Sequence, residues 1–119
     1  MHKVNHSALL PFSAEQMFNL VDDIDSYGKF LPYCSKAEVN QRDGHVVDGS
    51  IHLKKGPFKQ SFTTRNENSP FESIRMDLLD GPFKHFDGLW KFEVLDENAC
   101  KVSLMMEFCL LYTSDAADE

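Results

Sequence analysis

The first third of the chain changes from a strand-like to a helical pattern of apolar residues. Residues 3–10, KVNHSALL, alternate between apolar and polar positions, which predicts a first strand. Ser13, followed three residues later by Gln16, matches a capping box. Apolar residues then recur every three or four positions, which predicts an amphipathic helix over residues 13–25. A short helical turn, SYGKFLP, should follow and end before Pro32, because a proline disfavours helical dihedrals in the preceding residue.

From Cys34 onward the apolar positions recur every second residue. Two strand-like runs flank Asp43-Gly44, a pair typical of a hairpin turn, and Gly56-Pro57 ends the second run. Further alternating runs follow, separated by turns of Asn, Ser, Pro, Gly and Asp: FKQSFTTRN, ESIRMDLLDGP, FDGLWKFEV and CKVSLMMEF. The pattern predicts an α+β domain in which six consecutive antiparallel strands follow the helix, with one apolar and one wet face.

The apolar face of such a sheet must be covered. The helix predicted over residues 13–25 is too short to cover seven strands. Either a second long helix follows or the sheet stays open, and the chain contains no pattern for a second long helix.

Composition narrows the class of protein. The 119 residues suit one domain, and ten Phe against one Trp and three Tyr indicate an apolar interior rich in Phe. No apolar run is long enough for an integral membrane segment, and the N-terminus lacks the apolar core of a signal peptide. Three widely spaced cysteines do not form a disulfide framework. We therefore expect a cytoplasmic protein.

The sequence offers no recognisable catalytic or metal-binding motif. The five histidines are scattered, and none stands with a cysteine or carboxylate at metal-ligand spacing. There is no G-x-S-x-G nucleophile motif and no glycine-rich phosphate loop. We expect no catalytic residues, no metal and no cofactor, so that the protein acts by binding and is not an enzyme.

Three segments, SAEQMFNLVDDIDSYGKFLPYC, FTTRN and LLDGPFKHFDGLWKF, resemble the RatA-type ribosome-association toxins and coenzyme Q-binding proteins of the START-like, polyketide cyclase/dehydrase superfamily. The resemblance covers residues 3–108. It implies a helix-grip fold, in which a curved antiparallel sheet of seven strands wraps around a long C-terminal helix and encloses a hydrophobic cavity. Gly28 departs from the family, which usually has Pro after the tyrosine, and should loosen that turn.

The chain should be truncated before the long C-terminal helix. Back-translated, residues 109–119 match one reading frame of a transposase adapter used in building sequencing libraries. We therefore expect a START-like domain over residues 1–108 and a non-native tail after it, with a genuine acidic tail as the alternative. Without the tail's Asp115, Asp118 and Glu119, the formal net charge changes from −7 to −4.

Large apolar residues on the inner face are the candidates for a ligand cavity. The predicted lining residues are Phe30, Leu31, Phe62, Met76, Leu78, Phe86, Trp90 and Phe92. An ordinary core is the alternative for most of them, since a sheet buries one face in any case. The resemblance implies ubiquinone or another isoprenoid lipid as the ligand, in support of respiration and near the inner membrane. A polar headgroup could be held at the rim by Asp80, Lys84 and His85.

A local excess of positive charge is the second candidate site. Residues 49–66 contain no acid and four basic residues, namely Lys54, Lys55, Lys59 and Arg65. Such a basic stripe is usually just solvated, but it can bind phosphate backbones. The resemblance implies a ribosomal subunit as the partner, bound so that the subunits cannot join. The superfamily also allows a cyclase- or dehydrase-like enzyme, although no acid–base pair supports this.

Overall fold

The computed structural model describes residues 1–111, except for the Phe58 side chain. Their elements are, in chain order, β1 (His2–Leu10), α1 (Ala14–Asp22), a 3-10 helix (Ile24–Lys29), β2 (Cys34–Asp43), β3 (Val46–Lys55), β4 (Phe58–Ser69), β5 (Ser73–Asp80), β6 (Phe83–Asp96) and β7 (Ala99–Leu110). The predicted α+β order is confirmed: one strand, a helix, a helical turn and six further strands.

The seven strands form one antiparallel sheet in the order β1-β7-β6-β5-β4-β3-β2. Strands β2 to β7 each pair with their neighbours in sequence, as the alternating pattern predicted. The hairpin at Gly44 is also confirmed; its φ of +61° is a conformation that glycine adopts readily. Strand β1 joins β7 at the opposite end of the sheet, with Val4 opposite Met106.

Helix α1 begins where the capping box predicted. The Ser13 Oγ accepts a hydrogen bond from the Gln16 backbone N–H at 3.1 Å, and the Gln16 Oε1 accepts one from the Ser13 N–H at 2.8 Å. The helix ends at Asp22, earlier than expected, because Asp23 has the non-helical dihedrals φ −84° and ψ 69°. The chain continues as the 3-10 helix. Neither helix within residues 1–111 is long and apolar enough to cross a bilayer.

Two buried clusters hold the helices against the same face of the sheet. The first cluster joins Phe18 of α1 to Ile74, Phe92 and Cys100 on the strands. The second joins Ile24 of the 3-10 helix to strands β2 and β3. The two helices therefore cover only part of the inner face, and the rest of that face forms a cavity.

The end of β7 bears on the predicted domain boundary. The strand continues two residues beyond Phe108, to Leu110. The rest of the predicted tail, residues 112–119, lies outside the described residues, so the adapter origin of the tail stays a prediction.

Candidate functional site

A cavity of about 780 Å³ opens on the inner face of the sheet. Strands β1 and β3 to β7 contribute to its wall, together with α1, the 3-10 helix and the segment that follows it. Most of the lining side chains are apolar. The volume falls in the range of about 300–1,000 Å³ typical of small-molecule sites.

The structure brings most of the predicted cavity residues together. Six of the eight line the cavity, namely Phe30, Leu31, Phe62, Met76, Phe86 and Trp90. Phe92 does not: only 4% of it is exposed, and its ring lies 5.5 Å from that of Phe18. Since α1 covers this end of β6, Phe92 belongs to the core. Leu78 is also outside the lining; it precedes a β-bulge at Leu79, where the regular pairing of β4 and β5 is interrupted.

An aromatic cluster lines the end of the cavity near the β5–β6 turn. The Phe62 ring lies 5.6 Å from Phe83 and 5.8 Å from Phe86, and Phe83 lies 5.9 Å from Phe108. Phe83 and Phe108 were not predicted as site residues. The alternation along β7 could have indicated Phe108, whereas Phe83, the first residue of β6, is out of phase with Phe86 because the register shifts between Phe83 and His85.

Tyr27 contributes a neutral polar group to the wall. Its hydroxyl donates a hydrogen bond to the Val21 carbonyl. Burial, followed by the negative charges of Asp22 and Asp23, raises the pKa of Tyr27 well above its usual value of about 10. The phenol therefore stays protonated at physiological pH.

Among the residues that the structure describes, the cavity wall holds no paired acid and base. Among the described lining residues, His6 and Tyr27 are the only ionisable ones, and neither stands with a carboxylate, lysine or cysteine in the wall. Cys100 is fully buried in the core, and burial raises the pKa of its thiol, which disfavours the nucleophilic thiolate. The expected headgroup residues at the rim, Asp80, Lys84 and His85, do not line the cavity.

Two of the four residues of the predicted basic stripe, Arg65 and Lys55, have other partners in the structure. Arg65 donates hydrogen bonds of 2.8 and 2.9 Å to the two carboxylate oxygens of Asp48, directly opposite on β3. These hydrogen bonds hold the pKa of Asp48 below its usual range. Asp48 lies just outside the acid-free segment, so the cross-strand partner was missed. The Lys55 ammonium lies 5.0 Å from the Tyr33 ring centroid.

The other two lysines form a basic groove on the outer face. Lys54 and Lys59 lie directly opposite each other on β3 and β4. They line a shallow groove of about 550 Å³, together with Lys36 and His52. Glu38 partly offsets this charge, since it lies 3.8 Å from the Lys36 ammonium and 3.2 Å from His52 Nε2. Sequence reasoning missed Lys36 because it lies on β2, outside the acid-free segment, and missed His52 because only lysines and arginines were counted within that segment.

Three potential metal ligands also converge on the outer face. The ligand atoms of His85, Asp87 and Glu107 lie within 4.8 Å of one another across β6 and β7. Their side chains are nearly half exposed, and the Lys3 ammonium lies 3.9 Å from Glu107, where it would oppose a cation. Sequence spacing did not indicate this cluster because Glu107 lies on β7, far in sequence from His85 and Asp87 on β6.

Comparisons with known proteins agree with this architecture. The family model "Polyketide cyclase / dehydrase and lipid transport" matches residues 10–116. The ribosome association toxin RatA of Vibrio cholerae is 50% identical over 109 residues, which cover 91% of this chain and 75% of the toxin. The mitochondrial coenzyme Q-binding protein COQ10 homolog B of Xenopus laevis is 27% identical over 89 residues, covering 74% of this chain and 36% of that protein.

A solved structure with the same fold comes from an enzyme. The Zhui aromatase/cyclase from Streptomyces sp. R1128 superposes with a TM-score of 0.84 at 20% identity, covering 96% of this chain and 71% of the enzyme. At this identity the match supports the fold alone. The relatives' names describe a toxin and a binding protein, whereas this structural neighbour is an enzyme. With its seven-stranded sheet, apolar cavity and matched family model, the chain belongs to the polyketide cyclase/dehydrase and lipid transport family.

Proposed function

We propose that this protein binds an apolar molecule, ubiquinone or a similar isoprenoid lipid, without transforming it. The observation that carries the proposal is the apolar cavity of about 780 Å³. Its aromatic cluster offers ring faces on which a flat headgroup or an unsaturated tail can stack. The absence of an acid–base pair among the described lining residues favours binding over catalysis.

The name of the Xenopus relative supports the ligand class, since that protein is described as a coenzyme Q-binding protein. A quinone carrier would support respiratory electron transfer from the cytoplasm, at the surface of the inner membrane. No resident cofactor is needed for this role, because the quinone is the cargo.

Trp90 provides a direct test of lipid binding, because it is the single tryptophan of the chain and lines the cavity. A short-tailed ubiquinone, which quenches indole fluorescence at short range, should quench Trp90 with a saturable curve at micromolar concentration. Leu104→Gln places an amide in the cavity wall and should weaken the quenching strongly. The matched control Met105→Gln changes the neighbouring residue on the opposite face of β7 and should leave it intact.

Two outcomes of this titration would contradict the proposal. A linear, non-saturating quenching curve would indicate collisions with free quinone instead of binding. Equal effects of the two glutamine variants would indicate that the quinone does not bind on the inner face. Circular dichroism of both variants checks that each retains the sheet.

A second candidate function is ribosome association, in which the protein binds a ribosomal subunit and prevents subunit joining. The specific observation in its favour is the 50% identity to the Vibrio cholerae toxin. The basic groove around Lys54 and Lys59 is a suitable surface for ribosomal RNA phosphates. Within residues 1–111, Arg65 and Lys36 form ion pairs with carboxylates, whereas Lys54 and Lys59 form none.

Sedimentation of ribosomes tests this second function. Added protein should lower the fraction of joined ribosomes and raise that of free subunits. Lys54→Glu with Lys59→Glu should abolish the shift and leave quinone binding unchanged. The matched control Lys91→Glu with Lys101→Glu makes the same charge change on β6 and β7 and should retain the shift. Equal loss in both double variants would mean that only net charge matters.

A further inference from the structure

The wall of the apolar cavity contains two buried polar side chains on β4. Thr64 is 6% exposed and Asn66 is 8% exposed, and both line the cavity. Polar side chains in such positions normally have their hydrogen-bonding groups satisfied, because an unpaired buried group is costly. The partners of these two residues therefore indicate what the cavity is built to hold.

The hydrogen bonds of the pair leave one group unused. The Thr64 hydroxyl donates to the Asn66 Oδ1 at 2.9 Å, which fixes the orientation of the carboxamide. Within residues 1–111, the side chain of Asn66 makes its hydrogen bond through Oδ1, and its Nδ2 group takes part in none. A carboxamide nitrogen carries two N–H donors. The cavity wall thus presents an oriented donor where the neighbouring side chains are mainly apolar.

The surroundings of Asn66 suit a flat ring. Asn66 lies opposite Met76 on β5, and Met76 lies opposite Gly88 on β6. A Cβ added to Gly88 would lie 2.5 Å from Met76 Cε and 3.2 Å from Met106 Cγ, so the missing side chain leaves room for the two methionines. Thioether groups pack well against the edges and faces of rings.

The pair also defines a polar end of the cavity. Two residues beyond Asn66, the Asn68 Nδ2 donates to Asp22 Oδ1 at 3.0 Å and ties β4 to the end of α1. In the other direction, Phe62 belongs to the aromatic cluster. At about 3.3 Å per residue, Asn66 and Phe62 are about 13 Å apart. That length accommodates a ring headgroup and the first part of an apolar tail.

We propose that Asn66, held in place by Thr64, donates a hydrogen bond to a carbonyl oxygen of the ligand's headgroup. The cavity then selects apolar molecules that carry such an oxygen over hydrocarbons of the same shape. This inference rests on the proposed lipid-binding function. It places the headgroup inside the cavity, at the end tied to α1, and not at the rim near Asp80, Lys84 and His85.

Two probes with the same tail test the selectivity. One is a benzoquinone carrying two isoprene units, and the other is a benzene ring with the same tail and no oxygen. Displacement of a fluorescent apolar dye from the 119-residue protein gives a dissociation constant for each probe. The wild-type protein should bind the quinone about 5- to 10-fold more tightly, the range expected for one net hydrogen bond in a buried site.

Three variants test the residues. Asn66→Leu should weaken quinone binding about 5- to 10-fold, and the prenylated benzene should bind as well as before or better. Thr64→Val keeps the shape but frees the carboxamide, so it should weaken quinone binding by a smaller factor, roughly two to three. The control Thr63→Val removes a hydroxyl that hydrogen bonds to Ser50 on the outer face at 2.7 Å, and it should change neither constant.

The outcomes distinguish failure of the proposed Asn66 hydrogen bond from failure of lipid binding itself. Equal wild-type affinity for the two probes, or an equal loss for both in Asn66→Leu, would overturn the proposed hydrogen bond from Asn66 without contradicting lipid binding. Failure of the wild-type protein to bind either probe would overturn lipid binding itself. If Asn66→Leu does not fold, the selective loss in Thr64→Val, compared with Thr63→Val, decides the question.

Discussion

At the residue scale, polar groups on the inner face distinguish this cavity from an ordinary core. The sequence indicated the large apolar side chains because they follow the two-residue period of the strands. It did not indicate Tyr27 or Asn66, because single polar residues at inward positions look like interruptions of the pattern. Their roles follow from hydrogen bonds that only the folded chain shows, from Tyr27 to the Val21 carbonyl and from Thr64 to Asn66.

Tyr27 predicts a loss of stability at alkaline pH. Its folded-state pKa is raised, so the neutral phenol stabilises the folded chain, and this stability is complete below the unfolded value of about 10. As the pH rises above that value, the unfolded chain ionises first and the free energy of unfolding falls. Tyr27→Phe should remove this alkaline step and cost about 1 kcal/mol at neutral pH, through the lost hydrogen bond to Val21.

Urea unfolding at low protein concentration measures this effect. The pH should range from about 8 to 11.5, which brackets the ordinary tyrosine pKa. Tyr33 is mostly exposed and its ring makes no such hydrogen bond within residues 1–111, so Tyr33→Phe is the matched control. The wild-type and Tyr33→Phe curves should fall together at high pH, and the Tyr27→Phe curve should fall less. Parallel curves for all three proteins would contradict the assignment.

At the element scale, local sequence signals predicted the helices and strands, while tertiary contacts determine where α1 ends. The capping box and the hairpin glycine are local, and both were found where expected. The end of α1 depends on contacts that no local pattern contains: Arg42 of β2 pairs with Asp22 at 3.1 Å, and Asn68 of β4 also binds this carboxylate. These contacts hold the helix end against two strands.

The capping box should contribute measurably to stability because α1 has only nine residues. Ser13→Ala removes the oxygen that accepts from the Gln16 N–H, and it should lower the free energy of unfolding by about 1 kcal/mol. Ser61→Ala on the exposed outer face of β4 is the matched control and should change it by less than about 0.5 kcal/mol. Chemical unfolding measures both, and an equal change in both would mean that the cap contributes nothing.

At the scale of the whole molecule, the alternating pattern was sufficient to predict the sheet and which face is apolar. It could not predict which part of that face would be core and which part cavity. Phe92 and Trp90 have the same inward parity on β6, yet α1 covers the first and leaves the second at the cavity. The sequence pattern was limited in the same way for the basic stripe, because the residue that pairs with Arg65 lies on another strand.

The partly covered inner face predicts self-association of the 119-residue chain. Phe30 is 54% exposed, Leu20 47% and Leu31 38%, and all three border the cavity. If about 500 Å² of apolar surface stays in water, its burial is worth on the order of 12 kcal/mol at about 25 cal/mol per Å², comparable with the stability of a whole domain. Burial against a second copy recovers part of this free energy.

Sedimentation velocity over a hundredfold range of protein concentration measures the association. The wild-type chain should form dimers or larger species at tens of micromolar, and Leu20→Gln with Leu31→Gln should shift the equilibrium toward monomer. The control Leu79→Gln with Leu95→Gln replaces two exposed leucines that do not line the cavity, and it should change the association less. A prenylated benzoquinone that fills the cavity should also favour the monomer, because it covers the same surface. A wild-type chain that stays monomeric at the highest concentration and melts cooperatively would contradict the prediction, because the inner face would then remain exposed to water without self-association.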